Sequence, residues 1–321
     1  MKKITRRELA VMLGTGALAG AARDAGGQPA ALRGVVGLAA ADAKLGQPLE
    51  PEAARRSMEG ALAGAVGAET GIAAAARLFT KDDVVGIKLN CLAGRSLSPR
   101  VELVEALVDL LAEAGVDRRR IIVFERSSRE LERAGFSTRR QGPPYRCEGT
   151  DNDYERRPTT SGSIGSCFAR LVTTECTALV SFGVVKDHDL AGVSAGMKNW
   201  YGVIHNPNKY HDNGCDPYIV DVARHPFIRD KLRLTVLDGV VAQCHGGPAF
   251  RSGATFPLGR VAASTDPVAA DLWAWQAIEA ERKRRGMPTL EEAGRPVRFL
   301  ATAAQHGLGV ADPDELRLVT A

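Results

Sequence analysis

Residues 186–212, KDHDLAGVSAGMKNWYGVIHNPNKYHD, hold three histidines, three lysines and three asparagines among loop-type glycines. They follow TALVSFGVV, an apolar run that reads as a buried strand. His188 lies just past that strand, and an imidazole titrating near neutrality suits a general base or a metal ligand. A loop histidine bonded to Asp187 or Asp189 is the plainer alternative. Lys198 follows the small residues of GVSAGMKN, where backbone can approach a ligand closely. Its amine could bind phosphate or carboxylate, or become a nucleophile if desolvated; a solvated lysine on a turn is the other reading. Lys186 is bracketed in the same way, as a catalytic amine, an anion contact or a surface charge. His205 and His211 lie six residues apart around Asn-Pro, a wide spacing for a zinc-type pair. Joined to His188, they form the candidate metal set. Trp200 and Tyr201 could wall a pocket or belong to the core.

These residues need elements to hold them. Residues 50–78 are alanine-rich and read as helix. DDVVGIKLN (82–90) alternates as a strand does. SPRVELVEALVDLLAEAG reads as a helix capped by Ser98, with Pro99 at its first position. RRIIVFER is a second strand, and SSRELERAGF a short helix stopping at Gly135. Residues 137–166 read as a long polar excursion or lid. A short helix and the TALVSFGVV strand follow. Beyond the 186–212 loop come a helix at DPYIVDVARH, a strand at LRLTVLDGVV, a loop with His245, a strand at LGRVAAST, and the long helix DPVAADLWAWQAIEAERKRRG. A last helix and a terminal strand, ELRLVT, close the chain. Asp266 reads first as the cap of the long helix.

Strand and helix alternating in this way predict an α/β fold: a mostly parallel or mixed sheet flanked by helices, in one large domain or two lobes. In such sheets the binding cleft lies at the carboxyl ends of strands. Four loops are expected to converge there: after VVGIKLN, after VSFGVVK, after VLDG and at STDP. Lys88, Asn90, Asn199, Asp238, His245 and Asp266 are therefore expected as substrate or anion contacts. No GxGxxG follows the first strand, and neither a P-loop nor G-x-S-x-G is present, which weakens nucleotide and serine-hydrolase readings.

The formal net charge is +4, and residues 1–33 account for it with six basic and two acidic side chains. The body is formally neutral, so no nucleic-acid partner is expected. MKKITRRELAVMLGTGALAGAA has a basic start, Arg6-Arg7 and a weakly apolar run too short for a stable membrane span. It resembles a bacterial twin-arginine export signal. The implied organisation is a signal over 1–30, a helical lead-in over 31–80 and an α/β domain over 81–321. The export machinery is the implied partner and the periplasm the destination, with cleavage somewhere in Ala19–Ala30. Such substrates generally fold before they cross, often around a cofactor. The six cysteines show no C-x-x-C, so no iron–sulfur cluster is expected; an oxidising compartment would permit disulfides, with connectivity open.

VGIKLN, SPR, KDHDLAGVSAGMKNWYGVI, VLDG, GGP and STDPVAAD, taken in order, resemble the bacterial and archaeal family called domain of unknown function 362, over roughly residues 80–320. HDLAGVSAGMK followed by His211 also resembles, more faintly, the loop of nickel-pincer lactate racemases. That resemblance implies His188 as acid/base, Lys198 as the tether of a pyridinium-type cofactor, and His211 as a nickel ligand. It places Ser98 and Arg100 near a substrate anion. Those racemases use another histidine after an earlier strand, where IIVFERSSRE supplies Glu125, Arg126 and Arg129.

The expectation is an exported enzyme, oxidoreductase- or racemase-like, using a divalent transition metal or another cofactor on a small anionic substrate. A periplasmic small-ligand or metal-binding protein without turnover is the first alternative. An accessory or structural protein is the second.

Overall fold

The computed structural model describes residues 2–13, 32–41, 47–142 and 144–321. Thirteen strands are described: β1 Lys2–Ile4, β2 Val35–Ala40, β3 Val85–Leu89, β4 Ile121–Glu125, β5 Arg146–Gly149, β6 Thr159–Ser161, β7 Ile164–Ser166, β8 Ala178–His188, β9 Gly192–Ser194, β10 Leu232–Gln243, β11 Thr255–Phe256, β12 Arg260–Ser264 and β13 Arg317–Thr320. Eleven build one sheet, ordered β1-β13-β2-β12-β10-β8-β3-β4-β5, with β11 on β10 and β9 on β8; β6 and β7 form a separate hairpin. Along that path β12 runs against both its neighbours and every other pairing is parallel.

Alternation along the strands feeds two cores, one on each face. Val123, Val180, Phe182, Leu234 and Val236 pack with the helices Pro51–Val66 and Val101–Glu113. Ile122, Phe124, Leu179 and Leu237 pack with the helices Tyr218–Ala223, Pro267–Arg284 and Phe299–Gln305. Helix and sheet meet closely at Gly37: a Cβ there would lie 2.1 Å from the carbonyl oxygen of Ala61, so only glycine lets the helix reach the sheet.

Several expectations shift. The helix read over 50–78 is two, because Gly67 turns left-handed at φ 64 and Thr70 caps a new start at Gly71. The stretch 31–80, read as a helical lead-in, also supplies β2 to the interior of the sheet, between β13 and β12. Ser98 and Pro99 lie outside their helix, which begins at Val101 after Arg100. Within 137–166 lie the sheet's last strand, β5, and the β6–β7 hairpin. β10 continues through Asp238-Gly239 to Gln243, so that pair ends no strand. At the amino end, β1 pairs with β13, and Leu9 is buried with Ile4, Val35 and Val319. Most of the apolar run read as an export signal, and all of Ala19–Ala30, fall outside the described residues. No helix among the described residues is long and apolar enough to cross a membrane.

Asp266 caps the helix Pro267–Arg284, as its place before proline implied, and does more. One carboxylate oxygen accepts from Val268 N (3.0 Å) and Ala269 N (2.9 Å), the other from Gly34 N (2.9 Å) and Val310 N (3.0 Å). It thus joins three chain segments at a fully buried point. Asp266→Ala leaves four backbone donors without an acceptor and should cost roughly 3–5 kcal/mol. The urea unfolding midpoint checks this; a midpoint within error of the parent would show that other groups hold the junction.

Candidate functional site

The carboxyl ends of β3, β4 and β8 lie on one side of the sheet because these strands are parallel. β8 outruns its neighbour: Phe182 pairs with Leu89 at the end of β3, yet β8 continues to His188 and folds back with β9. The projecting hairpin, the 3-10 turn Lys198–Val203 and the turn Pro207–Tyr210 border a half-open cavity of about 340 Å³ over the ends of β3 and β4. That volume suits a small ligand.

Lys88 forms its floor. Its ammonium donates to Glu125 Oε1 (2.5 Å), Leu89 O (2.6 Å) and Asn199 Oδ1 (3.1 Å). Asn199 in turn donates through Nδ2 to Lys88 O (2.8 Å) and Ser181 Oγ (3.1 Å). Every ammonium hydrogen of Lys88 and both amide hydrogens of Asn199 are therefore used inside the protein. The two residues shape the floor and are not the free anion contacts expected of them. Asn90 lines the cavity and accepts from Lys186 Nζ at 3.0 Å. Lys186 is wholly buried behind it, and burial pushes its amine down to about 8.

Lys198 stands on the β8 side of the cavity, its Nζ 3.2 Å from His211 Nε2 and 3.8 Å from the centroid of the Tyr201 ring. The ring face favours the cation, but burial dominates and lowers the amine to about 8. His211 Nδ1 lies 3.0 Å from Pro207 O. A carbonyl only accepts, so Nδ1 carries the proton and Nε2 keeps its lone pair toward Lys198. Amine, base and orienting carbonyl thus stand in the order an activated nucleophile requires.

His188 has the opposite tautomer. Its Nδ1 accepts from Leu190 N (3.1 Å) and Ala191 N (3.2 Å). Asp189 Oδ1 also lies 3.0 Å from this nitrogen, but its side chain is 64% exposed and water can hold it, whereas the two amides are built into the loop. Nδ1 therefore holds the lone pair and Nε2 the proton. Burial first, then the Lys198 charge, push this imidazole down to about 2, so it stays neutral. It offers a donor to the cavity. The expected roles of base and metal ligand both need a lone pair at Nε2, which this tautomer lacks.

The other expected site residues lie elsewhere. His205 is exposed, edge-on to Tyr154, so the three histidines do not converge. Arg100 is spent on Asp238, through Nη1 at 2.9 and 3.0 Å and its own backbone N at 3.0 Å. Ser98 Oγ donates to Gly94 O at 2.7 Å. His245 opens onto a separate hollow with Arg251 and Arg285. Asp266 sits at the far end of the sheet, because β12 runs antiparallel and delivers its carboxyl end there. Of the four expected loops, those after β3 and β8 form the cavity. Among the described residues, no group of three or more His, Cys, Asp or Glu side chains could hold a metal ion, and none of the six cysteines is bridged.

Residues not proposed as site residues complete it. Asp271, fully buried, accepts from Gly196 N (2.6 Å) and Met197 N (3.0 Å), fixing the turn that leads into Lys198. Burial pushes its carboxyl up to about 7. Asn213, Gly214 and Cys215 are consecutively left-handed, at φ 51, 66 and 63, and bring the buried Cys215 thiol beside Lys198 and Tyr201. Arg126 and Glu130 line the β4 side. Arg126 follows a strand end directly, the same signal that marked Lys186.

Fold and cleft together define a mixed α/β protein with a ligand-sized cavity at the ends of parallel strands. The chain belongs to the family described as Domain of unknown function (DUF362), whose profile matches residues 85–276, a span containing β3, β4, β8 and the cavity loops. No curated protein matches. Among solved structures, a crystal structure of a protein from Thermotoga maritima is similar at 13% identity and a TM-score of 0.43, covering 75% of this chain. The chain spans 61% of that protein's length.

The lowered amine has a direct consequence. In pulse labelling with acetic anhydride, Lys198 should gain reactivity through pH about 8, against about 10.5 for an ordinary lysine. Its neutral fraction grows as pH rises through that value. Exposed Lys209 is the internal reference; identical pH curves for the two would rule out a desolvated Lys198.

Proposed function

We propose that this protein is an enzyme acting on a small anionic, carbonyl-bearing substrate, with Lys198 as the nucleophile. The observation that carries the reading is the Lys198 Nζ–His211 Nε2 contact of 3.2 Å on the wall of a half-open cavity. In the step proposed, the Lys198 amine forms a bond to the carbonyl carbon. The carbonyl π pair moves to oxygen, and the amine proton passes to His211 Nε2. His188 Nε2–H donates to the oxygen as its negative charge develops, and that oxygen then takes up the two protons the amine loses and leaves as water, giving the imine that borohydride reduces. A neutral donor suits that task, and burial keeps His188 neutral.

A second reading rests on the resemblance to nickel-pincer racemases. In it, Lys198 tethers an organic cofactor and His211 ligates the nickel that the cofactor carries, a centre that supplies redox chemistry to the substrate. The donor set fits in one respect. His211 has the lone pair at Nε2 and the Nδ1–H to a backbone carbonyl that metal-bound histidines use. The protein side would contribute that one ligand. His188, as a neutral donor, would orient a substrate oxygen.

Both readings are compatible with export, which the Arg6-Arg7 leader supports. Loss of the leader would remove β1 and leave β13 at the edge of the sheet.

Intact mass and elemental analysis of protein purified without nickel affinity separate the two readings. The nucleophile reading expects an unmodified chain that gains mass at Lys198 when incubated with small oxo acids and borohydride, and Lys198→Ala should abolish the gain. An added mass at Lys198 with about one nickel per chain would replace it with the tethered-cofactor reading. A bare Lys198 that traps no carbonyl compound, in protein that binds small ligands unchanged, would leave a binding protein.

A further inference from the structure

Once the internal pairs are formed, few charges remain to meet a ligand. Lys88 is spent on Glu125, whose second oxygen takes Cys91 N at 2.7 Å. Arg100 is spent on Asp238, and Asp187 on Arg295 (2.7 Å). On the β4 side of the cavity two groups are left over. Arg126 follows the last residue of β4, and Glu130 lies in the first turn of the helix Ser128–Ala134. Both side chains are half-buried and both line the cavity. Neither forms a hydrogen bond or ion pair through its side chain with any described residue, and they form none with each other.

Arg126 precedes the helix Ser128–Ala134 that carries Glu130, so the two reach the cavity from different elements. Here each is turned to the same cavity with its bonding capacity unused. A guanidinium matches a carboxylate in two parallel hydrogen bonds, and a carboxylate matches an ammonium. Burial and the nearby Glu125 raise the Glu130 carboxyl above its ordinary range, so a bound cation would be welcome there. Strand order places this couple on the opposite side of β3 from His188 and Lys198.

We propose that Arg126 and Glu130 form a clamp for a zwitterion, and that the ligand of this cavity is a small α-amino acid. Arg126 takes the carboxylate and Glu130 the α-ammonium, leaving the rest of the molecule facing His188 and Lys198. The identification of the clamp rests on the cavity alone. Its use in turnover rests on the function proposed above and requires an amino acid whose side chain carries the carbonyl that Lys198 attacks, since Arg126 holds the α-carboxylate.

Titration calorimetry on the full chain at pH 7 tests it, with glycine, both alanine enantiomers and serine as probes, beside propionate and ethylamine as one-ended analogues. At least one amino acid should bind tenfold or more tighter than either analogue. Arg126→Gln and Glu130→Gln should each weaken that amino acid at least tenfold. Glu130→Gln should in addition narrow the gap between the amino acid and propionate, because only the ammonium contact is lost. Thermal unfolding of both variants near the parent temperature would show that the fold persists. Propionate binding as tightly as the amino acids, or a Glu130→Gln variant with parental affinity, would reduce the site to an anion pocket and overturn the clamp. No binding by any probe would overturn it as well. The readout involves no chemical step, so a Lys198 that traps no carbonyl leaves this result standing, and the reverse also holds.

Discussion

The cavity depends on one buried ammonium. Lys88 points from the end of β3 into the space between strand ends, where an unpaired charge would cost several kcal/mol. Three acceptors answer it, from three places: Glu125 at the end of β4, the chain's own carbonyl at Leu89, and Asn199 in the turn after Lys198. The requirement to satisfy this charge draws the 198–203 turn onto the sheet and sets the distance between its two sides. Gly202 marks how close the approach is, since a Cβ there would lie 2.6 Å from Lys88 Cε and Nζ. A lysine that the strand pattern marked as an anion contact is instead the reason the cavity has a floor.

Backbone groups then decide what the two histidines can do. Leu190 and Ala191 present N–H to His188, and Pro207 presents C=O to His211. One imidazole is left with a proton facing the cavity and the other with a lone pair facing Lys198. Neither assignment needs a pKa to establish it. Burial reinforces both by lowering the two imidazoles, so they stay neutral and complementary near pH 7. The site has a donor, an acceptor and a desolvated amine, and each owes its state to a fixed partner.

Much of the fold was legible in residue order. The strands from VGIKL to VLDG, the two-faced alternation and the gathering of the 186–212 loop at a strand end follow from local pattern. Strand direction was not legible. LGRVAAST reads as one more strand, and nothing in its residues says that β12 runs backwards. That reversal sends Asp266 to the far end of the sheet. Pairing was equally hidden: Arg100 and Asp238 lie far apart in the chain, and only the fold shows that they neutralise each other. His205 differs from His211 by which side of a short turn it leaves, a geometric fact that six residues of spacing do not encode. Arg126 and Glu130 were visible as residues but not as leftovers, because being unpaired is a property of the whole set of contacts.

The segment STDPVAAD shows how closely stability and site are joined. Its two aspartates lie five residues apart on one helix, both buried, both accepting only from backbone N–H groups. Asp266 draws the helix start to Gly34 and Val310, at the amino end of the central strands. Asp271 reaches across to Gly196 and Met197, and so carries the helix position to Lys198. A Cβ on Gly196 would come within 2.9 Å of the Asp271 carboxylate, so the small residue and the acid define one contact from two sides. The helix is therefore a rigid spacer. One end is fixed by a cap that satisfies three segments, and one turn further on it holds the glycine turn that aims the amine. A separation of five positions between acids on a single helix is what allows an architectural bond and a positioning bond to share one element.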